Sequence, residues 1–395
     1  MQIYLDYSAT TPPRSEAISQ IDQVLKQEWG NPSSLHTWGQ RAATIVETAR
    51  WQVAGLINAP SSDCIIFTSG GTEADNLALL GIARRYCVPQ HLIISSVEHS
   101  AISETAAILA QWGWQVTILS VNRQGRVNPL ELKAAIKPNT VLISIIYGQS
   151  EVGTVQPIEE LAKISQSSGV LFHTDAVQVA GRLPLDVQRL GVDLLSLSGH
   201  KIYGVQGAGA LYVRPGVEIL PLFGGGGQER LLRSGTQAVP AIAAFGVAAE
   251  LAALEMVRET SRLRGLRDRL FDLMADCPYL IPTGDRLYRL PHHVSFIVND
   301  PRSRTDQERI TGKTIVRQLN LAGIGISAGS ACHSGKLSPS PILLAMGYSE
   351  TEGLRGIRLT LGRETTLEDI EWTAMVLKQI FERLMPQLEV VGCNS

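Results

Sequence analysis

The sequence predicts an α/β protein: a large domain built on a mostly parallel, seven-stranded sheet, joined to a smaller α+β domain. Three observations lead there. From residue 64 onward, short apolar runs alternate with helical stretches, the pattern of parallel strands joined by crossover helices and covered on both faces. The chain has 395 residues and is 44% hydrophobic, enough for one large core and a second, smaller one. Past residue 262 the regular alternation gives way to isolated strands and a terminal helix.

Taken in order, residues 1–14 start extended, with Ile3-Tyr-Leu-Asp-Tyr7 and then Ser8-Ala-Thr-Thr-Pro-Pro13. Helical periodicity covers 17–29. The turn Gly30-Asn-Pro-Ser-Ser34 separates it from a second helix over 40–56. Strands are predicted at 64–67, 91–95, 116–119, 141–147, 170–172, 194–197 and 211–213. The helices between them fall at 72–87, 100–113, 129–136 and 158–167. The helix at 129 has a marked start, with Asn128 at the N-cap, Pro129 in the first turn and Glu131 at N3. Glycine-rich Phe223-Gly-Gly-Gly-Gly-Gln-Glu-Arg230 and Arg233-Ser-Gly-Thr236 interrupt the pattern before a long helix over 239–274. The domain boundary is placed inside that helix: 15–262 form the large domain, and 1–14 with 263–395 the small one. The small domain has strands near 294–298 and 357–361 and a last helix over 367–388.

Composition excludes several function classes. With 35 basic and 37 acidic residues the net charge is -2, so nothing advertises nucleic acid or an anionic membrane. The N-terminus has no basic stretch leading into an apolar one, so no secretory signal is expected. No uncharged apolar run approaches the roughly 20 residues that span a bilayer. The longest, 238–256, contains Glu250 and reads as a buried helix. Five scattered cysteines form no C-x-x-C pair, which argues against a zinc site or a disulfide framework. A reducing cytoplasm is therefore expected, in which one reactive thiol is possible.

The candidate site is assembled from strand ends, where ligand chemistry collects in parallel sheets. The strand at 64–67 runs into Thr68-Ser-Gly-Gly-Thr-Glu-Ala-Asp-Asn76 and then a helix. Glycines and hydroxyls at a helix start offer free N–H groups and the positive dipole end, which suits phosphate. The plainer reading is a Ser/Thr-capped helix. The strand at 91–95 leads to Glu98-His99, a histidine that either faces a ligand or caps the next helix. The strand at 170–172 leads to Asp175, either a turn aspartate or the partner of a protonated ring nitrogen. The strand at 194–197 delivers Ser198-Gly-His-Lys201. Lys201 is either a surface charge or an amine that condenses with a carbonyl cofactor. Singly these signals are weak. Together they match the needs of pyridoxal 5′-phosphate: N–H donors for phosphate, a stacking partner and an acid for the ring, and a lysine for the aldehyde.

At this point the sequence resembles the cysteine desulfurases of the NifS/IscS kind, within the class V aminotransferase fold. The resemblance covers nearly the whole chain. Its motifs are Asp6-Tyr-Ser-Ala-Thr-Thr-Pro12, Asn31-Pro-Ser-Ser-Leu-His36, Phe67 to Asn76, Glu98-His99, Thr174-Asp-Ala-Val-Gln178, Ser198 to Lys201, Arg233 to Thr236, Gly329-Ser-Ala-Cys-His-Ser334 and Ile357-Arg-Leu-Thr-Leu-Gly-Arg363. It implies fold type I of the pyridoxal-phosphate-dependent transferases and a cytoplasmic homodimer. It implies L-cysteine as substrate, and a sulfur-acceptor or iron–sulfur scaffold protein as partner. Lys201 is then the residue that holds the cofactor's aldehyde and moves the Cα proton. Asp175 pairs with the pyridinium nitrogen, Gln178 hydrogen-bonds the ring oxygen, and His99 stacks on the ring and assists proton transfer. Gly71, Thr72, Ser198 and His200 hold the phosphate, with Thr236 reaching in from a second subunit. Arg358 clamps the substrate carboxylate, which its planar fork suits, helped by Asn31. No intrinsic metal is implied, although Cys332 could transiently ligate a cluster on a partner.

A lone cysteine is by composition a buried apolar filler, the reading kept for Cys64, Cys87, Cys277 and Cys393. Cys332 differs, lying among glycines and serines beside His333. The resemblance makes it the nucleophile whose thiolate takes sulfur from free cysteine as a persulfide, releasing alanine. One departure stands out. Gln149-Ser-Glu-Val-Gly153 lies where the family usually has Asn-Asn-Glu, so Ser150 replaces an asparagine that normally contacts the ring oxygen and the substrate. The chain also stops at Ser395 soon after the last helix, where the scaffold-binding type often has a longer tail. Two rival readings are an aminotransferase or lyase of the same fold, which has no need of Cys332, and a non-catalytic scaffold. Against the scaffold stand Lys201, Asp175 and Cys332 together.

Overall fold

The computed structural model describes residues 2–300, 310–329 and 338–385. Its strands are β1 (Ile3–Tyr4), β2 (Ile65–Thr68), β3 (His91–Ser95), β4 (Gln115–Leu119), β5 (Thr140–Ser144), β6 (Leu171–Asp175), β7 (Leu194–Ser198), β8 (Gly209–Val213), β9 (Leu280–Pro282), β10 (His293–Val298), β11 (Ile324–Gly325), β12 (Ser327–Ala328) and β13 (Gly356–Thr360). Its helices are α1 (Ser15–Gln27), α2 (Thr37–Leu56), α3 (Gly71–Ala83), α4 (Ser100–Gln111), α5 (Pro129–Ala135), α6 (Ile158–Ser167), α7 (Val187–Leu190), α8 (Val239–Leu273), α9 (Gly312–Leu321), α10 (Pro341–Ala345), α11 (Glu350–Gly353) and α12 (Leu367–Leu384).

Strands β2 to β8 form one seven-stranded sheet in the order β2-β8-β7-β6-β5-β3-β4. The run from β4 to β7 is parallel throughout, and β8 lies antiparallel between β7 and β2. Both faces are covered, and successive side chains go to opposite faces. Along β2, Ile65 and Phe67 pack with residues of α2 and α8, whereas Ile66 packs with residues of α3 and α4. A strand buried on both sides reads as a continuous apolar run, which is why most of the seven were visible in the sequence; β4, at the edge, leaves Ile118 exposed yet is apolar enough to be read as a strand.

Helix α8 serves two cores. Between Val239 and Ala249 its side chains fill the core under the large sheet. Leu263, Leu270 and Phe271 instead pack with Val294, Phe296 and Leu359, and with Ile3 and Leu5 from the N-terminus. By length and composition α8 could cross a membrane, but here it packs along α1 and α2. The second core also carries the antiparallel sheet β12-β13-β10-β9, while β1 pairs in parallel with β11. Strands of two or three residues, such as β1, β9, β11 and β12, carry no periodicity for a sequence reading to find.

Cys64 and Cys277 are buried, in keeping with an apolar filler, but Cys87 is exposed. Helix α3 ends at Ala83 rather than continuing to 87, so the chain has already left the core face when it reaches Cys87. Cys393 lies outside the described residues.

A buried ion pair ties the glycine-rich stretch to the sheet. Arg50 in α2 donates to both carboxylate oxygens of Glu229, at 2.6 and 2.9 Å, and to the Ile65 carbonyl at 2.8 Å. Glu229 also accepts from the Phe67 N–H at 2.8 Å and from the Gln237 amide at 3.1 Å. The two charged side chains are 3% and 1% exposed, so removing one strands the other without water. Arg50→Ala is expected to cost about 3–5 kcal/mol in urea unfolding, and Arg50→Lys to recover little of it, because an ammonium cannot supply the two-pronged contact. A loss below about 1 kcal/mol for Arg50→Ala would show that the pair is not what holds this segment.

Candidate active site

The carboxyl ends of β6 and β7, the loops after β3 and β5, and the start of α3 open onto one pocket. Helix α3 begins almost directly after β2. Its N-cap is Gly70, and no side chain caps it, so the reading of a Ser/Thr-capped helix does not hold. The first-turn N–H groups are left without a side-chain acceptor, a ready place for an anion. A Cβ on Gly71 would stand 2.9 Å from Val177 Cγ2 and 3.5 Å from Ser198 Cβ, so glycine keeps this cradle open. The Ser198 hydroxyl beside it is buried and has no hydrogen-bond partner among the described residues.

Lys201 follows β7 in a single tight turn, Gly199–Lys201. Its ammonium donates to the carbonyls of Ser8 and Ala9, both at 2.7 Å. Burial, helped by the positive charge of Arg358, lowers its pKa from 10.5 to about 8, against the opposing pull of Asp175 and Asp6. The Ser8 carbonyl also takes the Gln178 amide at 2.9 Å. The N-terminal motif is therefore a wall of the site, holding two of its side chains by backbone oxygens.

Asp175 ends β6 and accepts from the Val177 N–H at 2.9 Å. Burial raises its pKa, while His99, that N–H and Lys201 act the other way. Asp75, in α3, also lines the pocket and is wholly buried. Burial, and then the charge of Asp175, pushes the Asp75 pKa well above the usual carboxylate value. Ligand-capable atoms of Asp75, His99 and Asp175 all lie within 4.8 Å of one another. Two carboxyl groups so close, away from water, cannot both ionise, and Asp75 is the member that keeps a proton. Behind them His173 lies between the hydroxyls of Ser144 and Ser196, at 2.8 and 2.9 Å. Burial drives its pKa down to about 3, so it is neutral.

His99 caps the next helix, as one of its two readings expected, and it also borders the pocket. Its Nδ1 accepts from the Ala101 N–H at 3.2 Å. Glu98 beside it is buried, its pKa raised to about 8 by that burial, and it takes the Ile146 N–H at 2.9 Å. His200 pairs through Nδ1 with the Thr10 hydroxyl at 3.0 Å, and burial together with Lys201 lowers it to about 4. Arg358, on β13, donates to the Ser150 carbonyl at 3.0 Å and to Asp6 at 2.5 Å. Its Nε is buried with no partner among the described residues. Ser150 lines the pocket, and its carbonyl also receives the His293 Nε2 at 3.0 Å.

The pocket thus brings together Gly71, Thr72, His99, Asp175, Gln178, Ser198, His200 and Lys201. Arg358 does not line it, and neither do Asn31 and Thr236. The latter two are exposed, and the Asn31 side chain accepts from the Ser33 N–H at 3.0 Å in a local turn. Cys332 lies outside the described residues. Asp75 was missed by the sequence reading. The available signal was its spacing, four residues after Gly71 on the same face of the helix.

The family model described as Aminotransferase class-V matches residues 3–372. The chain is 44% identical over 387 residues to a cysteine desulfurase IscS of Dictyoglomus turgidum, covering 97% of this chain and 95% of that one. It is 41% identical to a cysteine desulfurase IscS of Methanosarcina thermophila, covering 97% and 92%. Among solved structures, a NifS-like protein from Rickettsia africae superposes with a TM-score of 0.86 at 32% identity, over 97% of this chain and 100% of that one. A structure described as SspA in complex with cysteine superposes with a TM-score of 0.78 at 32% identity, over 91% and 99%.

Proposed function

This chain belongs to the class-V aminotransferase family, and within it we infer a cysteine desulfurase that converts L-cysteine to L-alanine and keeps the sulfur as a persulfide on its own cysteine. The observation that carries this reading is the single pocket in which Lys201, Asp175, His99 and Gln178 meet the open start of α3. Its residues fit pyridoxal 5′-phosphate. Gly71, Thr72, Ser198 and His200 would hold the phosphate, and the unpartnered Ser198 hydroxyl is a donor in need of such an acceptor. Asp175 would face the ring nitrogen, Gln178 the ring oxygen and His99 the ring. Lys201 would hold the aldehyde. Bound there, the cofactor supplies an electron sink for the carbanion formed at Cα.

The chain's own residues supply the rest. Arg358 Nε, buried and unpartnered among the described residues, is available to the substrate carboxylate while the other nitrogens stay tied to Asp6 and Ser150. Lys201 in its neutral form takes the Cα proton. The Cys332 thiolate then attacks the substrate sulfur. A sulfur–sulfur bond forms, the Cβ–S bond breaks, and the carbon keeps the electron pair and gains a proton as alanine. A reducing cytoplasm keeps Cys332 available as a thiol, and the persulfide sulfur passes on to an acceptor protein such as an iron–sulfur scaffold. Thr236, exposed here, would complete the pocket of a second copy. Exposed Trp29 and Leu35, between α1 and α2, and Trp38 and Trp51, in α2, give such a copy an apolar face to meet.

The test is to mix the holoprotein with L-cysteine and quantify alanine, pyruvate and protein-bound sulfur. Alanine matched by persulfide supports the reading, and pyruvate with ammonia points to a lyase instead. The lowered pKa of Lys201 gives a further expectation. Its neutral form, which condenses with an aldehyde, is about a tenth of the population at pH 7 when the pKa is about 8. Recombination of cofactor-free protein with pyridoxal 5′-phosphate should therefore speed up about tenfold from pH 7 and level off above pH 8 to 9. A rate still climbing at pH 10 would mean that Lys201 titrates as an ordinary lysine.

A further inference from the structure

Glu151 has no part in the chemistry above, yet it is a half-buried carboxylic acid one residue beyond Ser150, and desolvation raises its pKa to about 7. One oxygen, Oε1, has no hydrogen-bond partner among the described residues. A buried carboxyl group with an idle oxygen costs stability unless its contacts offset the desolvation. Those contacts lie on both flanks of the segment 330–337, which carries Cys332.

On the near flank, Gly329 approaches the carboxyl group so closely that a Cβ there would stand 2.0 Å from Oε1 and 2.6 Å from Cδ. Only glycine allows that approach, and the Gly329 N–H is further held by the Gly356 carbonyl at 3.3 Å. On the far flank, the Ser340 hydroxyl hydrogen-bonds the Glu151 carboxylate and also accepts from the Leu343 N–H at 3.1 Å, capping α10. The Ser340 N–H donates to the Gly353 carbonyl at 3.0 Å. Gly356 begins β13, and two residues on stands Arg358, whose charge favours the ionised form of Glu151. One side chain therefore joins the pocket wall at Ser150, both flanks of the Cys332 segment and the strand of the carboxylate clamp.

We propose that Glu151 is a positioning residue for sulfur transfer, fixing Gly329 and Ser340 relative to Ser150 and Arg358 so that the segment between them starts and ends at a set distance from the pocket. The proposal rests on the desulfurase reading and concerns only the step that uses Cys332. Cα proton removal needs Lys201 and Arg358 and does not need that segment, so the two steps separate experimentally.

The experiment uses holoprotein as wild type, Glu151→Ala and Glu151→Gln. Two rates are measured: Cα hydrogen exchange of L-alanine in deuterated water, and single-turnover persulfide formation from L-cysteine, read by mass. Circular dichroism and the melting temperature check the fold. In Glu151→Ala, exchange should stay within about twofold of wild type while persulfide formation falls about 10- to 100-fold, the scale of a misplacement of about 1 Å. Glu151→Gln keeps the shape and the acceptor for Ser340 and should recover most of the loss. Equal persulfide rates in Glu151→Ala and wild type overturn the proposal. So does a parallel fall of both rates, in either variant, which marks a general structural role. If Glu151→Ala does not fold, a Glu151→Gln variant that folds but loses persulfide formation as severely as exchange also overturns it. Wild-type protein that exchanges L-alanine but forms no persulfide instead overturns the desulfurase reading itself.

Discussion

Lys201→Ala is expected to remove turnover of L-cysteine by at least about 10³-fold and to abolish the visible absorption band of a lysine-bound pyridoxal. The residue does two jobs that no neighbour can take over. It is the pocket amine whose pKa is lowered far enough, to about 8, to be partly neutral near pH 7. Its position is fixed by the carbonyls of Ser8 and Ala9 at 2.7 Å. The nearby guanidinium of Arg358 is held by Asp6 and Ser150 and is not a nucleophilic amine. Lys201→Arg should fail as completely as the alanine variant for the same reason. The proposed phosphate site at Gly71 and Ser198 is untouched by either change, so the cofactor should still bind without its lysine-linked band. A variant that keeps both the band and turnover would place the reactive amine elsewhere and remove the basis of the proposed mechanism.

Cys332→Ala should abolish persulfide formation, with alanine release falling by about 10³-fold or more, while the cofactor band and Cα exchange of L-alanine remain. Among the described residues nothing in the pocket can accept the sulfur in its place. The described cysteines are Cys64 and Cys277, both buried with thiols raised by burial, and Cys87, exposed beyond α3. Cys332→Ser should behave like the alanine variant, because a hydroxyl does not form the sulfur–sulfur bond. Full alanine release in either variant would mean that sulfur leaves by another route, as in a lyase.

Much of this was legible because the two signals involved are local. A strand buried on both faces is a run of apolar residues, and a helix start left open to an anion is a run of glycines and hydroxyls. The strand ends therefore pointed to His99, Asp175, Ser198 and Lys201, and the structure gathers them in one pocket. The errors were also local. The reach of α3 was overestimated because alanine and leucine continue up to Ala83 and Arg84 to Cys87 does not break the pattern sharply, which left Cys87 misjudged as core.

What the sequence could not express is distance across the chain. Asp75 looks like an ordinary helix residue until β6 places Asp175 within 4.8 Å of it and burial makes one of the two keep its proton. Lys201 looks like any lysine after a strand until the N-terminal residues Ser8 and Ala9 fold over it. Glu151 looks like a loop carboxylate until Gly329 and Ser340 close around it. The sequence by itself determined the order of strands and helices and the kinds of groups at their ends, since those follow from side-chain periodicity and backbone conformation. Only the tertiary structure decided which charges survive burial and which residues hold the reactive ones, because desolvation and hydrogen bonding depend on neighbours far away in the chain.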